Sequence, residues 1–214
     1  MKYELVIFDC DGVLVDSEPI ANRVLRDALA DEGLEMSLSD VIAEFVGLSM
    51  TSVVKRSEEL LGHSLPEDFL DRVQAETFEV FHRELVAVEG IHDVVAYLQE
   101  QGIKSCVASS GDFSKMEVTL GLTGLKEDFD GRIFSSSQVS RGKPWPDLYL
   151  FAANQMGVDP ALCLVVEDSL PGVRGAVAAG MDVLAYSVRG ECDGLLKAGG
   201  LVIRRMTEVL DHLS

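Results

Sequence analysis

Leu5-Val-Ile-Phe-Asp-Cys-Asp-Gly-Val-Leu-Val15 is the stretch around which the rest of this chain is organised. Its first four residues are uncharged with a β-branched centre, which is typical of a strand buried on both faces, and the strand is expected to stop at Asp9. Asp9 and Asp11 then follow the strand on the same side of the chain, and Gly12 lets the backbone turn away. The pattern predicts an acidic site at the end of a central strand.

Two carboxylates so close together repel each other unless a cation or a shared proton compensates, so the pair favours a hard, oxygen-liganded ion, with Mg²⁺ as the first candidate. A carboxylate beside such an ion can also attack phosphorus, giving an aspartyl-phosphate that water later opens. A plain turn is the simpler alternative and would explain the aspartates and Gly12, but it does not explain the apolar strand that precedes them. A calcium loop is excluded, because Val13 and Ile20 stand where that loop needs ligands.

The composition narrows the class of protein and its partners. The chain has 214 residues, 47% of them hydrophobic, which suits one domain or a domain with an insertion. No apolar run approaches the ~20 residues of a membrane span, and Met1-Lys-Tyr-Glu4 leaves no room for a signal peptide, so we expect a cytoplasmic protein. A net charge of −18 disfavours nucleic acid and anionic membranes as partners. The cysteines lack metal-ligand spacing and are expected to be buried, reduced thiols.

The hydrophobic pattern divides the chain into two parts. Residues 17–86 show only helical periodicity and are expected to form an all-α cap inserted directly after the first strand, where it could exclude water and select the substrate. Residues 1–16 and 87–214 alternate strands and helices, which predicts an α/β core with a doubly wound parallel sheet. The predicted strands are Leu5–Phe8, Lys104–Ala108 with Ile103, Arg132–Ser135, Leu162–Val166, Val183–Tyr186 and Leu201–Ile203.

Chemically active residues stand where these strands end. Ser109-Ser110-Gly111 follows the second strand and suits phosphate oxygens at a helix N-terminus. Lys143, between the third strand and the next helix, is presented by a proline-rich loop, and Glu167-Asp168 follows the fourth strand. Each has a simpler explanation as a loop, a solvated charge or a helix-terminal pair. Since ligands of such sheets gather at the carboxyl ends of the strands, the coincidence favours one shared site.

These motifs and their order resemble the haloacid dehalogenase superfamily, in particular the β-phosphoglucomutase-like group with a small helical cap. The matching stretches are Asp9-Cys-Asp11-Gly-Val13 with Asp16-Ser-Glu18, Ser109, Lys143-Pro-x-Pro-Asp147 and Glu167-Asp168-Ser-x-x-Gly172.

The resemblance implies a role for each of these residues. Asp9 would be the nucleophile and a magnesium ligand. Asp11 would be the general acid and base and would bind the metal through its backbone carbonyl. Ser109 and Lys143 would hold the phosphoryl group, and Asp168 with Glu167 would complete the magnesium site. Asp11 must be protonated to donate to the leaving oxygen, so its surroundings should favour the neutral acid.

Within this group the sequence favours a phosphatase over a mutase. Ala21 and Met50 stand where the mutase has a histidine and an arginine of its cap, and Asp112-Phe113 replaces a lysine-asparagine pair that grips a second phosphate. Dehalogenation is disfavoured because relatives that displace halide lack the second aspartate, and Lys55 is expected to be a solvated lysine rather than a Schiff-base amine. A mutase, and a catalytically silent binding protein on the same fold, remain alternatives.

The substrate is the least determined feature. Glu18, Asn22, Gly47, Met50 and Trp145 are candidates for framing the leaving group, although Gly47 could simply end a helix and Trp145 could be packing. Hydroxyl-binding side chains suit a sugar or sugar-acid phosphate, for which 6-phosphogluconate is an example among the resembling phosphatases. We expect a small phosphorylated metabolite as partner and a monomer or weak homodimer as the assembly.

Overall fold

The backbone separates into two compact units, an α/β unit and a helical unit. The computed structural model describes residues 2–46, 48–188 and 192–213. The α/β unit comprises the described residues up to Asp16 together with those from Val86 onward, and the helical unit is Ser17–Leu85. The helical unit begins at the residue expected from the sequence and ends one residue earlier than expected.

A parallel sheet forms the frame of the α/β unit, as predicted. Its strands within the described residues are β1 (Leu5–Phe8), β2 (Lys104–Ser109), β3 (Ile133–Ser135), β4 (Cys163–Glu167), β5 (Asp182–Tyr186) and β6 (Leu201–Ile203). They lie in the order β3-β2-β1-β4-β5-β6. The order reverses direction between β1 and β4, and in doubly wound sheets a ligand crevice forms at such a reversal, beyond the carboxyl ends of the strands.

The first strand occupies the centre of this sheet. All four of its residues are completely buried, and it pairs in parallel with β2 on one side and β4 on the other, so that Phe8 lies beside Val107 and Val166. Such double burial explains why its sequence is a continuous apolar run rather than an alternating one. The residue that follows this strand is therefore delivered to the middle of the sheet edge.

Helices cover the sheet on both faces. They are α5 (Ile91–Gln101), α6 (Phe113–Leu122), α7 (Asp147–Met156), α8 (Leu170–Ala178) and α9 (Asp193–Lys197). Leu5 and Ile7 share one hydrophobic cluster with residues of α7 and α8. Phe8, on the opposite face because side chains alternate along a strand, packs edge to face on Phe129. Cys10, Cys106 and Cys163 are buried free thiols, as expected, and Cys192 is buried as well.

The helical unit is built from α1 (Glu18–Asp31), α2 (Leu38–Phe45), α3 (Met50–Leu61) and α4 (Phe69–Glu84). The helix α1 packs on both α2 and α4, and ion pairs of Arg23 with Glu84 and of Arg72 with Glu32 join α4 to the chain around α1. Ser37 and Ser49 cap α2 and α3 with their hydroxyls.

No helix in the described ranges is both long enough and apolar enough to cross a membrane.

Candidate active site

The loop after β1 is closed by its own backbone. The N–H of Asp9 donates to the carbonyl of Val166 on β4 (3.0 Å), which extends the sheet by one residue. The N–H of Gly12 donates to the carbonyl of Val15 (2.9 Å), and Gly12 has a φ of +76°, a conformation that favours glycine. These bonds fix the backbone that carries Asp9 and Asp11.

Lys143 lies against Asp9. Its Nζ donates to Oδ1 of Asp9 (2.5 Å) and to Oε1 of Glu167 (2.6 Å), and its side chain is only 5% exposed. The Lys143–Pro144 peptide bond is cis. Burial alone would lower the pKa of Lys143, but the charges of Asp9 and Glu167 outweigh it and raise that pKa. The ammonium group therefore stays charged and fixed between two carboxylates.

Glu167 is the last residue of β4 and is completely buried. Its Oε1 accepts from Lys143 and from the hydroxyl of Tyr149 (3.2 Å), and its Oε2 accepts from the N–H (2.6 Å) and the hydroxyl (2.9 Å) of Ser169. Gly172 makes room for this carboxylate, since a Cβ there would lie 1.8 Å from Oε1. Glu167 holds Lys143, and it would have to give up one of these bonds to bind a cation directly.

Asp168 completes an acidic group. Carboxylate oxygens of Asp9, Glu167 and Asp168 lie within 4.8 Å of one another. A Cβ on Gly12 would lie 2.1 Å from Oδ2 of Asp168, so the missing side chain leaves space for this carboxylate against the loop after β1. Lys143 contacts two of these three carboxylates, those of Asp9 and Glu167, and a cluster of carboxylate oxygens fits Mg²⁺.

Asp9 is a strongly perturbed carboxylate. Burial raises the pKa of Asp9 to about 7, the Lys143 ammonium opposes this shift, and the charge of Glu167 adds to it. A divalent cation beside Asp9 would favour its ionised form, which is the form that can act as a nucleophile.

The loop Ser109-Ser110-Gly111 is held at the sheet edge by two serines after it in sequence. The buried hydroxyl of Ser109 accepts from the N–H of Gly111 (3.1 Å). The hydroxyl of Ser135 donates to the carbonyl of Gly111 (2.7 Å), and that of Ser136 donates to the carbonyl of Ser110 (3.0 Å). The sequence analysis missed Ser135 and Ser136, although a run of serines directly after the third strand was a usable signal.

The same loop reaches Asp11. An ideal Cβ on Gly111 would lie 3.5 Å from Oγ of Ser109 and 3.9 Å from Oδ2 of Asp11. The candidate phosphate-binding hydroxyl and the candidate proton donor therefore both lie on the Cβ side of Gly111.

Lys115 is a second lysine of the site that the sequence analysis missed. Its Nζ lies 2.8 Å from Oδ2 of Asp11. The expectation that the surroundings of Asp11 favour its neutral acid stays a prediction. Asp112 acts as the N-cap of α6 by accepting from the N–H of Lys115 (2.8 Å) and the hydroxyl of Ser114 (2.7 Å). Helical geometry was the available signal, because a side chain in the first turn leans back towards the N-terminus.

Tyr149 is another missed residue, on α7. It is completely buried, its hydroxyl donates to Glu167, and its ring centroid lies 5.4 Å from Nζ of Lys143. Burial and the charge of Glu167 raise the pKa of Tyr149, so it remains a neutral donor. In sequence it looks like an ordinary apolar position of a helix.

The residues proposed for substrate selection fall on both units. Glu18 and Asn22 lie in the first two turns of α1, and Met50 is the exposed first residue of α3. Trp145, half-exposed on the α/β unit, stacks on an arginine guanidinium group 4.5 Å from its ring centroid. Gly47 lies outside the described residues. Their role in specificity stays a prediction.

Known proteins match this chain closely. The model of the haloacid dehalogenase-like hydrolases matches residues 3–180. The 6-phosphogluconate phosphatase of Escherichia coli K12 is 32% identical over 186 residues, 86% of this chain and 83% of that protein. The phosphorylated carbohydrates phosphatase of Thermotoga maritima is 31% identical over 214 residues, 98% of each chain. A solved haloacid dehalogenase family hydrolase of Deinococcus radiodurans, with bound phosphate and sodium, has a TM-score of 0.87 and 31% identity, covering 99% of this chain and 95% of that one.

Proposed function

Because this chain belongs to the haloacid dehalogenase-like hydrolases, we propose that it hydrolyses a small sugar or sugar-acid phosphate with the help of Mg²⁺, through an aspartyl-phosphate on Asp9. The family and the enzyme class, a phosphoric monoester hydrolase, were predicted from the motifs and are confirmed by the matches. The observation that carries the rest of the proposal is the convergence of Asp9, which follows β1, with buried Lys143 and with Glu167 and Asp168 at the end of β4.

The proposed reaction needs one nucleophile and one proton carrier. The carboxylate of Asp9 attacks phosphorus, and the bond from phosphorus to the ester oxygen breaks while Asp11 gives that oxygen its proton. The alcohol leaves, and water attacks the phosphorus of the aspartyl-phosphate. Asp11 takes a proton from this water, and the release of inorganic phosphate restores the carboxylate of Asp9.

The remaining residues position and neutralise the phosphoryl group. Lys143, the hydroxyl of Ser109 and the N–H groups of Ser110 and Gly111 are proposed to hold its oxygens, which is the main requirement of phosphoryl transfer. Asp9, Asp168 and the backbone carbonyl of Asp11 would hold Mg²⁺, with Glu167 beside them. Bound Mg²⁺ would supply positive charge to the phosphoryl oxygens.

A phosphatase is favoured over a mutase by the surroundings of the phosphate loop. A mutase must hold a second phosphate, and at the position of the lysine-asparagine pair this chain has Asp112, whose carboxylate caps α6, and Phe113, which is partly exposed. Neither can bind a phosphate. Among sugar-acid phosphates we propose 6-phosphogluconate as the first to test, because a phosphatase named for it matches most of this chain.

Release of inorganic phosphate from a panel of esters tests the proposal. The panel holds 6-phosphogluconate, a hexitol phosphate, glucose 6-phosphate and p-nitrophenyl phosphate, each with Mg²⁺ and with EDTA. We expect Mg²⁺-dependent release, abolished in Asp11→Asn without loss of fold. Interconversion of glucose 1-phosphate and glucose 6-phosphate without phosphate release would replace the phosphatase with the mutase, and binding without turnover of any ester would favour the silent binding protein.

We also propose a cytoplasmic location, which the buried free thiols of Cys10, Cys106 and Cys163 support because disulfides are rare in reducing compartments.

A further inference from the structure

The ammonium group of Lys115 lies beside the proposed proton carrier and has no part in the reaction described above. Lys115 is in the first turn of α6, and its side chain is 33% exposed. Within the described ranges, its Nζ donates to Oδ2 of Asp11. An ammonium group has three N–H donors, so this contact leaves donors for a ligand.

The position of Lys115 differs from that of the phosphate binders. Lys143 contacts the nucleophile Asp9, whereas Lys115 contacts Asp11, which must reach the departing ester oxygen. A proton donor has to come within ~3 Å of the atom that it protonates. Nζ of Lys115 is 2.8 Å from that carboxyl group, so this Nζ lies within about 6 Å of the ester oxygen when Asp11 protonates it. At ~1.5 Å per bond, the first two carbons of the alcohol and their substituents lie within this distance.

Gly111 lies beside Ser109, Asp11 and the stem of Lys115. An ideal Cβ on Gly111 would lie 3.9 Å from Cδ of Lys115, 3.9 Å from Oδ2 of Asp11 and 3.5 Å from Oγ of Ser109. Three polar side chains therefore border one position that carries only hydrogen.

We propose that Lys115 determines specificity by binding an oxygen on the carbon next to the ester carbon of the substrate. The inference deepens the proposed phosphatase function, on which it rests. It assigns to the site phosphate esters whose second carbon carries a hydroxyl or carboxylate oxygen, as in polyol and hydroxy-acid phosphates, over alkyl and aryl phosphates that lack this oxygen. In a chain with a net charge of −18, a cation at this point also favours an anionic oxygen there.

The test compares matched pairs of esters. Glycerol 3-phosphate and propyl phosphate share three carbons, and phosphoglycolate and ethyl phosphate share two, so each pair differs mainly in oxygen. For the unmodified protein with Mg²⁺ we expect a higher kcat/KM for the oxygen-bearing member. In Lys115→Met, the ratio of kcat/KM between that member and its partner should fall by about 10–100-fold, the effect of one hydrogen bond to a charged group. Lys115→Arg should restore part of the preference.

Several outcomes would overturn the inference. An unmodified protein that hydrolyses both members of each pair equally has no such specificity, and this result does not depend on any variant. An equal fall for both members in Lys115→Met would mean that Lys115 acts only by positioning Asp11. If no ester is hydrolysed at all, the proposed function fails as well. The matched control is Lys126→Met, which removes a surface lysine paired with Glu117 (3.5 Å) and should leave both preferences unchanged.

Discussion

Two aspartate–lysine pairs serve the same loop after β1, and they differ in their surroundings. The inner pair, Asp9 with Lys143, is buried and shares Glu167 as a third member. The outer pair, Asp11 with Lys115, is about one third exposed on both sides. A buried pair is fixed and costly to break, whereas an exposed pair contributes little to stability and can exchange partners. The inner pair is thus suited to the phosphoryl transfer that all substrates would share. The outer pair is suited to contact with the alcohol part, which differs from one substrate to another.

Replacing Asp9, the proposed nucleophile, should produce the largest effect. Asp9→Asn is expected to lower phosphate release by ~10⁴-fold or more, because no ester can form on the amide. Without divalent cations at pH 8, the midpoint of thermal unfolding should stay the same or rise, because Lys143 keeps Glu167 as its partner and the variant removes a carboxylate whose charge burial disfavours. Asp71→Asn on the exposed face of α4 is the control. Activity within 10-fold of the unmodified protein would remove Asp9 from the mechanism.

Removing one lysine from each pair sharpens the contrast. Lys143→Met leaves Glu167 buried without its cation, so we expect a loss of about 3 kcal/mol in the free energy of unfolding and a fall in kcat of ~10³-fold. Lys115→Met should cost less than about 1 kcal/mol. Urea unfolding in the presence of EDTA measures both. Equal losses of stability would contradict the distinction between the inner and the outer pair.

The inner pair also predicts a dependence of cation binding on pH. Asp9 has a pKa of about 7 in the folded protein, above its ordinary 3.8, so between these values the folded state holds a proton that the unfolded state releases. Without a cation, this group therefore lowers stability as pH rises through that range. A cation must displace the same proton, so Mg²⁺ affinity should rise by up to ~10-fold per pH unit below 7 and level off above. Calorimetric titrations at several pH values check this, and Asp9→Asn should abolish the dependence.

The smallest effect is expected from the hydroxyl of Tyr149. Tyr149→Phe removes one hydrogen bond to Glu167 while keeping the ring under Lys143, so we expect a loss of about 1–2 kcal/mol in the free energy of unfolding and less than 10-fold in kcat. Tyr97→Phe, at a half-buried position of α5, is the matched control. A change no larger than that of the control would show that Glu167 holds Lys143 without Tyr149.

The sequence predicts the inner pair better than the outer one. Asp9, Lys143 and Asp168 follow from a simple rule, because the ends of parallel strands meet at one edge of a sheet. Lys115 and Tyr149 could not be found this way, since their contacts depend on how α6 and α7 are rotated against the sheet. A shift of one residue at the end of β4 also matters. Glu167 was expected after the strand but is its last residue, which explains why it is buried beneath Lys143 while Asp168 faces the loop.

The order of the strands has a consequence for the synthesis of this protein. Leu5 pairs with Cys163, so β1 must wait for most of the chain before one of its two neighbours exists. A nascent chain that ends after β3 already carries Asp9, Asp11 and Ser109. It lacks β4, which accepts the N–H of Asp9, together with Glu167 and Asp168 at the end of that strand. The ability to transfer phosphate therefore arises late, when the fourth strand is inserted beside the first, and a prematurely terminated product is inert.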